Sequence, residues 1–345
     1  MDIQRALDVL SRFGHLQEDE AEAVMHQIMT GGATEAQIGA YLMALRMKGE
    51  TQDEITGSAR AMRSNSQHVH AKYEGDLLDT CGTGGDRSGT FNISTTVAFV
   101  AAGAGIKVAK HGNRAASSKC GSADVLAQLG VSLDLTPEQV AECIDEVGIG
   151  FLFAAKMHPA MKHAIGPRKQ MAIRTIFNIL GPLTNPAGAQ RQLMGVFATD
   201  LTDFLAHVLG KLGSKSALVV SGYGGLDELT TTGPNRVSHF KDGKVNSYEI
   251  NPQDYGFRGA NISELLGDDA PTNAGILRGI LTGDIQDAKR DVVLLNAAAA
   301  LMAADYATSI ADGIQKAAEI IDSGAALQKL DALVAYSKQL TPVAN

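Results

Sequence analysis

Residues 82–86, Gly-Thr-Gly-Gly-Asp, could bind a phosphate group through their backbone. Glycines carry no Cβ, so their N–H groups can approach a ligand closely. The segment follows the apolar pair Leu77-Leu78 and precedes an apolar helical run, residues 96–104. A strand, a glycine loop and a helix start in this order predict an anion site, because free N–H groups and the helix dipole point the same way. An ordinary tight turn is the competing interpretation, since the spacing fits neither the dinucleotide nor the P-loop pattern.

A second strand-like run, residues 106–109, ends in Lys110 and His111. Ligands of α/β proteins bind at the carboxyl ends of parallel strands. We therefore expect the glycine loop and this cationic segment to form a phosphate clamp, with Lys110 as a point charge. His111 is either a general base or a wall residue that forms hydrogen bonds, and we favour the wall because histidines are common in clefts.

Asp227 and Glu228 follow a predicted strand, residues 217–220, and a Gly-Tyr-Gly-Gly loop. Adjacent acids in a loop are usually solvated charges, but these two lie where an α/β sheet binds ligands. Oxygen ligands suit Mg²⁺, which keeps several waters and bridges to substrate phosphates. The pair is therefore either a candidate Mg²⁺ site or a solvated loop pair.

The chain has 345 residues, 38 of them acidic and 30 Lys or Arg, and a net charge of −8. This length predicts two lobes, and the negative charge argues against a protein that coats nucleic acid. Cys81, Cys120 and Cys143 are an odd number without metal-ligand spacing, which suits a reducing compartment. The first residues show no signal-peptide pattern, and no apolar run has membrane-spanning length. We therefore expect a cytoplasmic protein with no membrane or nucleic-acid partner.

The elements that must position these residues fall into two groups. The N-terminal part indicates helices only. One helix face is formed by Ala21, Val24, Met25 and Ile28. Two capping boxes open the next helices, one formed by Thr34 with Gln37 and the other by Thr51 with Glu54. From Leu77 onward, short apolar strands alternate with helices, which predicts a mainly parallel sheet covered on both faces. These strands are predicted at residues 77–78, 107–108, 150–153, 193–197 and 217–220, and an antiparallel hairpin at 238–250.

Residues 159–178 return to helical periodicity, so we place them with the N-terminal helices. The predicted fold class is α/β, with a small discontinuous all-helical domain and a larger domain built on a mainly parallel sheet. We expect the small domain to comprise residues 1–72 with 159–186, and the α/β domain residues 73–158 with 187–345.

Residues 82–86, 92–95 and 110–114 together resemble the anthranilate phosphoribosyltransferase family, the tryptophan-pathway enzymes that join anthranilate to phosphoribosyl pyrophosphate. The likeness continues through residues 117–119, 121–126, 174–186 and 225–228, and it covers nearly the whole chain without a large insertion. It implies a nucleoside phosphorylase/phosphoribosyltransferase-like fold, with the active site in the cleft between the domains. It also implies a homodimer formed through the helical domain, and Mg²⁺ as the cofactor with two ions per subunit.

The resemblance implies a reaction as well. The phosphoribosyl group of 5-phosphoribosyl 1-pyrophosphate passes to the amine of anthranilate, which gives N-(5-phosphoribosyl)anthranilate and pyrophosphate. An aromatic amine is nucleophilic near neutral pH, so a strong base is not obligatory. No catalytic residue is therefore assigned beyond the candidate His111.

The family's motifs also imply roles for individual residues of this chain. Phosphoribosyl pyrophosphate is expected to contact Gly82, Gly85, Asp86, Thr90, Asn92, Ile93, Ser94, Thr95, Lys110, His111, Gly112, Asn113, Arg114, Ala115, Ala116, Ser117, Ser118 and Ser122. Anthranilate is expected to contact Gly82, Asn113 and Arg168, whose planar guanidinium suits a carboxylate. The expected metal ligands are Ser94, Asp227 and Glu228. The alternatives are an N-cap for Ser94 and a solvated helix charge for Arg168.

Two other functions stay open at this stage. A pyrimidine nucleoside phosphorylase shares the two-lobed architecture and similar loops, but it needs a free phosphate site and no metal pair. A non-catalytic nucleic-acid-binding relative is the second alternative, and the net charge of −8 counts against it.

Overall fold

The computed structural model of the chain describes residues 1–86, 88–115 and 119–341. Its helices are α1 (Ile3–Ser11), α2 (Glu18–Met29), α3 (Glu35–Lys48), α4 (Gln52–Ser64), α5 (Ile93–Gly103), α6 (Ser122–Leu129), α7 (Pro137–Glu146), α8 (Ala154–Met157), α9 (Lys162–Met171), α10 (Phe177–Leu180), α11 (Asp200–Lys211), α12 (Ala270–Thr282), α13 (Ala288–Ala303), α14 (Ile310–Asp322) and α15 (Ala325–Leu340). Its strands are β1 (Leu78–Gly82), β2 (Val108–Gly112), β3 (Ile149–Phe153), β4 (Arg191–Gly195), β5 (Ser216–Ser221), β6 (Asn235–Lys241) and β7 (Lys244–Ile250).

Within the described residues the strands form one sheet in the order β3-β2-β1-β4-β5-β6-β7. Strands β1 to β5 pair in parallel, and β6 and β7 extend the sheet as an antiparallel hairpin. The hairpin turn, Asp242-Gly243, has positive φ at both residues, +51° and +75°, as a two-residue turn of this kind requires. The prediction of a mainly parallel sheet with a terminal hairpin is confirmed.

Helices cover both faces of the sheet, and the strand residues alternate between two cores. In β5, Leu218 and Val220 belong to the core beneath helices α5 and α12 to α15. Ala217 and Val219 belong to a second core, which contains α11 and the N-terminal helices. Successive side chains of a strand point to opposite faces, so β5 is apolar on both sides.

The predicted strand positions are correct, but several strand ends are not. We predicted that β1 ends at Leu78 and that Lys110 and His111 follow a strand that stops at residue 109. The structure places Lys110, His111 and Gly112 inside β2, and β4 ends at Gly195, two positions before the predicted end. The polar residues continue the ladder because hydrogen bonds inside the fold satisfy them, so polarity does not mark the strand end here.

The small helical lobe is formed by α1 to α4 together with the segment around α9 and α10. Helices α2 and α4 pack closely at Gly57, where a Cβ would lie 2.1 Å from the carbonyl oxygen of Glu18. The capping boxes at Thr34 and Thr51 are both present. Ala164 and residues 176–180 contribute buried side chains to the same core as α1 to α4. The small domain is therefore discontinuous, as predicted, while the residue bounds given above for the two domains stay a prediction.

The α/β fold class, with a small all-helical domain, is thus confirmed. In the part of the chain that the structure describes, no helix is both long enough and apolar enough to cross a membrane.

Candidate active site

A cavity of about 400 Å³ lies at the carboxyl ends of β1, β2 and β5, beside helices α9 and α10. The segments that follow these strands all turn toward it, because parallel strands end at one edge of the sheet. Of the residues assigned to substrate or metal above, those lining the cavity are Gly82, Gly85, Asn92, Ser94, Thr95, Lys110, His111, Gly112, Asn113, Arg114, Ala115, Ser122, Arg168, Asp227 and Glu228. The structure thus brings together segments that are far apart in sequence.

Three expected residues do not line this cavity, and three cannot be placed. Ile93 is buried at the start of α5, and Thr90 forms an isolated β-bridge with Leu266. Asp86 lies beside Asp227 and raises the pKa of that carboxyl group. Ala116, Ser117 and Ser118 lie outside the described residues. The cavity also has lining residues that were not assigned from the sequence: Cys81, Thr83, Gly84, Gly121, Ala154, Phe177, Asn178, Gly181 and Pro182.

The glycines of β1 and β4 make room for Asp227. A Cβ on Gly82 would lie 2.4 Å from Asp227 Oδ2, and a Cβ on Gly195 would lie 1.5 Å from its carbonyl oxygen. The Asp227 carboxylate accepts a hydrogen bond from the N–H of Gly84 at 2.6 Å. The glycine-rich segment therefore holds the carboxylate at the strand ends, in addition to any contact that it makes with a ligand.

Asp227 and Glu228 form a pair of crowded carboxylates at the base of the cavity. Burial, followed by the nearby charge of Asp86, raises the pKa of Asp227 to about 7. Burial and the charge of Asp227 raise the pKa of Glu228 to about 8. The Oε1 atom of Glu228 accepts a hydrogen bond from the Ser94 N–H at 3.1 Å. Acids that repel one another in this way are stabilised in their charged form by a bound cation.

Lys110 lies between this pair and the sheet. Its side chain is buried, its Nζ donates to the carbonyl oxygen of Thr80 at 2.5 Å, and it lies 3.4 Å from Ser94 Oγ. Burial lowers the pKa of the ammonium group, and the charge of Asp79 opposes that shift. The hydrogen bond to Thr80 thus fixes the Lys110 amino group near the candidate metal ligands.

Asp79 supports β2 from the neighbouring strand. It is fully buried, and its carboxylate accepts hydrogen bonds from the His111 N–H at 3.1 Å and from Asn185 Nδ2 at 2.8 Å. Asn185 also donates to the carbonyl oxygen of Ala109 at 2.8 Å. Asp79 and Asn185 were not predicted from the sequence, although a carboxylate inside an apolar strand could have signalled a buried polar partner.

His111 has a second histidine as a neighbour. The ring centroids of His111 and His158 lie 5.1 Å apart, and neither Nε2 atom has a hydrogen-bond partner in the described structure. Burial lowers the pKa of His111 to about 3 and that of His158 to about 4. Both rings are thus neutral near pH 7. An imidazole with so low a pKa is a weak base, which favours the interpretation of His111 as a wall residue.

A second cavity of about 400 Å³ adjoins the first and shares His111, Asn113 and Arg168 with it. The guanidinium carbon of Arg168 lies over the Phe177 ring, 5.0 Å from its centroid. Within the described residues no carboxylate lies within 4.0 Å of Arg168. The geometry therefore leaves this planar cation available to a ligand, whereas the neighbouring Lys169 is exposed.

The segment after β2 is folded back onto the start of α6. The carbonyl oxygen of Asn113 accepts hydrogen bonds from Ser122 Oγ at 3.2 Å and from the Ala123 N–H at 3.1 Å. Asp124 accepts from the N–H groups of Ala115 and Gly121 at 3.0 and 2.9 Å. These contacts hold residues 113–115 against the start of α6.

This fold and cavity define a class of protein, the glycosyl transferases with a helical bundle and an α/β domain. The model of the glycosyl transferase family α/β domain matches residues 74–327, and that of the family's helical bundle domain matches residues 4–66.

Individual relatives specify the class further. The chain is 53% identical over 337 residues to the anthranilate phosphoribosyltransferase of Thioalkalivibrio sulfidiphilus, and the match covers 98% of this chain and 99% of the relative. The crystal structure of anthranilate phosphoribosyltransferase from Thermus thermophilus matches with a TM-score of 0.92 and 41% identity, over 96% of this chain and 99% of that one. The Saccharomyces cerevisiae enzyme in complex with PRPP and Mg matches with a TM-score of 0.90 and 27% identity, over 98% of both chains.

The chain belongs to the anthranilate phosphoribosyltransferase family. The resemblance inferred from the sequence motifs is confirmed, and the comparisons support neither the phosphorylase nor the nucleic-acid-binding alternative.

Proposed function

We propose that the chain transfers the phosphoribosyl group of phosphoribosyl pyrophosphate to the amine of anthranilate, as the enzymes of its family do. A C–N bond forms at the anomeric carbon of the ribose, the C–O bond to pyrophosphate breaks, and the amine loses a proton. The observation that carries the proposal is the cleft itself, which combines a glycine-rich phosphate loop, the acid pair Asp227 and Glu228, and the guanidinium of Arg168.

The phosphoribosyl donor is bound along the ends of β1 and β2. The N–H groups of Gly85 and Asp86 supply hydrogen-bond donors for phosphate, since those of Thr83, Gly84 and Ser94 donate to acceptors within the protein. Lys110 supplies a positive charge. The remaining residues assigned to the donor above include Asn113, Arg114 and Ser122, which line the same cavity. Donors fixed in this way stabilise the charge that develops on the departing pyrophosphate.

Magnesium fits the donor set at the base of the cleft. Asp227 and Glu228 repel one another and have raised pKa values in the protein alone, so a divalent cation relieves this repulsion. Ser94 Oγ lies at the same place and is the third expected ligand. We propose two ions. Ser94 and Glu228 would hold the first, and Asp227 and Glu228 would hold the second. When bound, Mg²⁺ neutralises phosphate charge and orients the leaving group.

Anthranilate is bound where the two cavities meet. Its carboxylate contacts Arg168, and its ring lies against the neutral imidazole of His111, with Gly82 and Asn113 close to the reacting amine. A neutral imidazole beside an aromatic ring adds no charge that would repel the protonated Arg168. The chain's own residues thus orient the nucleophile, and no side chain has to remove its proton before attack.

We also propose that the enzyme is a cytoplasmic homodimer, with no nucleic-acid partner. The helical domain exposes apolar side chains on α3 and just after α1, with Met47 69%, Phe13 64% and Met43 40% exposed. Apolar groups that cluster on a surface favour association. Sedimentation velocity of the wild type and of a Met43→Asp, Met47→Asp variant would test this, since the dimer should dissociate in the variant.

Anthranilate fluorescence provides the test of the reaction. We expect consumption of anthranilate only when phosphoribosyl pyrophosphate and Mg²⁺ are both present, with stoichiometric release of pyrophosphate. Full turnover in excess chelator would remove the metal assignment. Phosphorolysis of thymidine or uridine without turnover of anthranilate would replace the proposed function.

A further inference from the structure

Arg174 joins three segments around the phosphate loop, and no role has been given to it above. It lies between α9 and α10 in the helical insert. Its Nη2 atom donates a hydrogen bond to the carbonyl oxygen of Gly85. The guanidinium carbon also lies over the ring of Phe197, 4.1 Å from the centroid. Phe197 follows β4, so one side chain connects the insert with the ends of two central strands.

We propose that Arg174 is a positioning residue that fixes the phosphate loop, residues 82–86, in the orientation that binds the phosphoribosyl donor. The inference rests on the proposed function, because it assigns this loop to the donor. Arg174 is not among the described residues that line the cavity, so it acts on the loop rather than on the reacting atoms.

The hydrogen bond from Arg174 matters because it orients the peptide group between Gly85 and Asp86. The carbonyl of Gly85 and the N–H of Asp86 belong to one planar trans peptide, in which they point in opposite directions. Holding the oxygen therefore fixes the direction of the Asp86 N–H, on the side away from Arg174. Among the described residues the N–H groups of Gly85 and Asp86 have no acceptor, so both are available to an anion.

The phosphate loop needs the contact with Arg174 because its glycine backbone can adopt many conformations. Gly84 and Gly85 have φ values of +67° and +74°, a region in which glycine has many neighbouring conformations. Asp227 holds the N–H of Gly84 at 2.6 Å, and the carbonyl of Gly89 accepts from the Gly267 N–H at 2.9 Å. Arg174 holds the peptide between these two attachments.

The choice of arginine and phenylalanine suits this task. In the described structure no carboxylate lies within 4.0 Å of Arg174, so its geometry is set by the carbonyl and the ring. Stacking on an aromatic face keeps the guanidinium plane in place. A lysine would retain the charge but lose the planar contact with Phe197.

The experiment compares Arg174→Gln, Arg174→Ala and Arg174→Lys with Lys169→Ala, an exposed cation of the same insert. Isothermal titration calorimetry with Mg²⁺ and no anthranilate gives the Kd for phosphoribosyl pyrophosphate, and fluorescence kinetics give KM for each substrate. We expect Arg174→Ala to weaken donor binding about tenfold, as for loss of a charge-assisted hydrogen bond. The KM for anthranilate should change less than about twofold, since Arg174 holds the Gly85 end of the loop and, in the described structure, touches neither Asn113 nor Arg168, which are assigned to anthranilate.

The neutral Gln variant identifies the partner of Arg174. Its amide can still donate to the Gly85 carbonyl, so donor binding should lie between wild type and Arg174→Ala. Donor binding restored in Arg174→Lys, with Arg174→Gln as weak as Arg174→Ala, would assign the guanidinium to the phosphate itself and overturn the proposal. Unchanged donor binding in Arg174→Ala, or equal losses for both substrates, would overturn it as well.

Two further measurements distinguish a failure of this proposal from a failure of the proposed function. If Arg174→Ala does not fold, Phe197→Leu removes the stacking while keeping an apolar side chain, and the same selective loss of donor binding is expected. A wild-type protein that binds the donor but does not consume anthranilate would contradict the proposed reaction, and calorimetry would still decide the role of Arg174.

Discussion

Replacement of Arg168 provides the sharpest test of how the second substrate is bound. The side chain is half-buried, it stacks on Phe177 at 5.0 Å, and it borders both cavities. Burial lowers the pKa of its guanidinium, which nevertheless stays protonated near pH 7. A hydrogen bond to a charged group contributes about 1.5–3 kcal/mol, and about 1.4 kcal/mol corresponds to a factor of ten. We therefore expect Arg168→Ala to lower kcat/KM for anthranilate by about ten- to a hundredfold.

The assay is anthranilate fluorescence at saturating phosphoribosyl pyrophosphate and Mg²⁺, repeated with the donor varied. Lys169→Ala, which removes the adjacent exposed cation, is the matched control and should behave as wild type. Aniline, which lacks the carboxylate, should react with similar kcat/KM in Arg168→Ala and in wild type, because the lost contact no longer has a partner. An equal rise in KM for both substrates, or an equal loss with aniline, would refute the carboxylate contact and assign Arg168 to the general shape of the cleft.

Three further predictions concern buried charges. Replacing Asp227 by Asn and Glu228 by Gln should leave folding intact but raise the Mg²⁺ concentration needed for turnover and lower activity steeply; superimposable Mg²⁺ titrations would contradict this. Glu54→Gln should lower the free energy of unfolding by about 3–5 kcal/mol in urea titrations. The buried ammonium group of Lys48, paired with Glu54 at 2.8 Å, would keep its hydrogen bond to the Gly49 carbonyl but lose the negative charge that compensates it. His158, whose folded pKa is about 4, binds a proton more readily when unfolded. Stability should therefore fall as pH drops from about 6.5 towards 4, by up to about 1.4 kcal/mol per pH unit, and less so in His158→Gln.

The predictions for Glu54 and His158 have controls in the same chain. Asp8→Asn removes an exposed ion pair with Arg12, and such pairs contribute at most about 1 kcal/mol, so a loss like that of Glu54→Gln would contradict the role of burial. His70→Gln changes an exposed histidine and should leave the pH dependence of the urea midpoint as in wild type. An unaltered pH dependence in His158→Gln would show that this ring does not contribute.

The sequence predicts those parts of the fold that depend on local patterns. Helix faces, capping boxes and the Asp242-Gly243 turn each involve residues close in sequence, so they could be assigned correctly. The return of residues 159–178 to helical periodicity was enough to predict a discontinuous small lobe. The cavity residues between 82 and 122 could be assigned because their motifs resemble a known family.

The contacts that the sequence did not reveal are formed between distant segments. Asp79 and Asn185 are 106 residues apart and satisfy one another inside the fold. Because such partners meet only after the sheet has formed, the sequence predicts that a strand ends before Lys110, whereas Lys110 is buried within that strand. His158 lies just before the segment 159–178 and Arg174 lies within it, and the helical periodicity of that segment gives no indication of what either side chain contacts.

The charges of the cleft also fit the metal requirement that we propose for this chain. Asp86, Asp227 and Glu228 lie close together in a protein whose net charge is already −8. Without a cation, the raised pKa values keep Asp227 and Glu228 partly protonated near pH 7, and a divalent cation would stabilise their charged, metal-binding form. An enzyme that binds only free phosphate would gain nothing from these acids. If the acid pair binds Mg²⁺ as we propose, it therefore also favours transfer from a pyrophosphate donor over phosphorolysis.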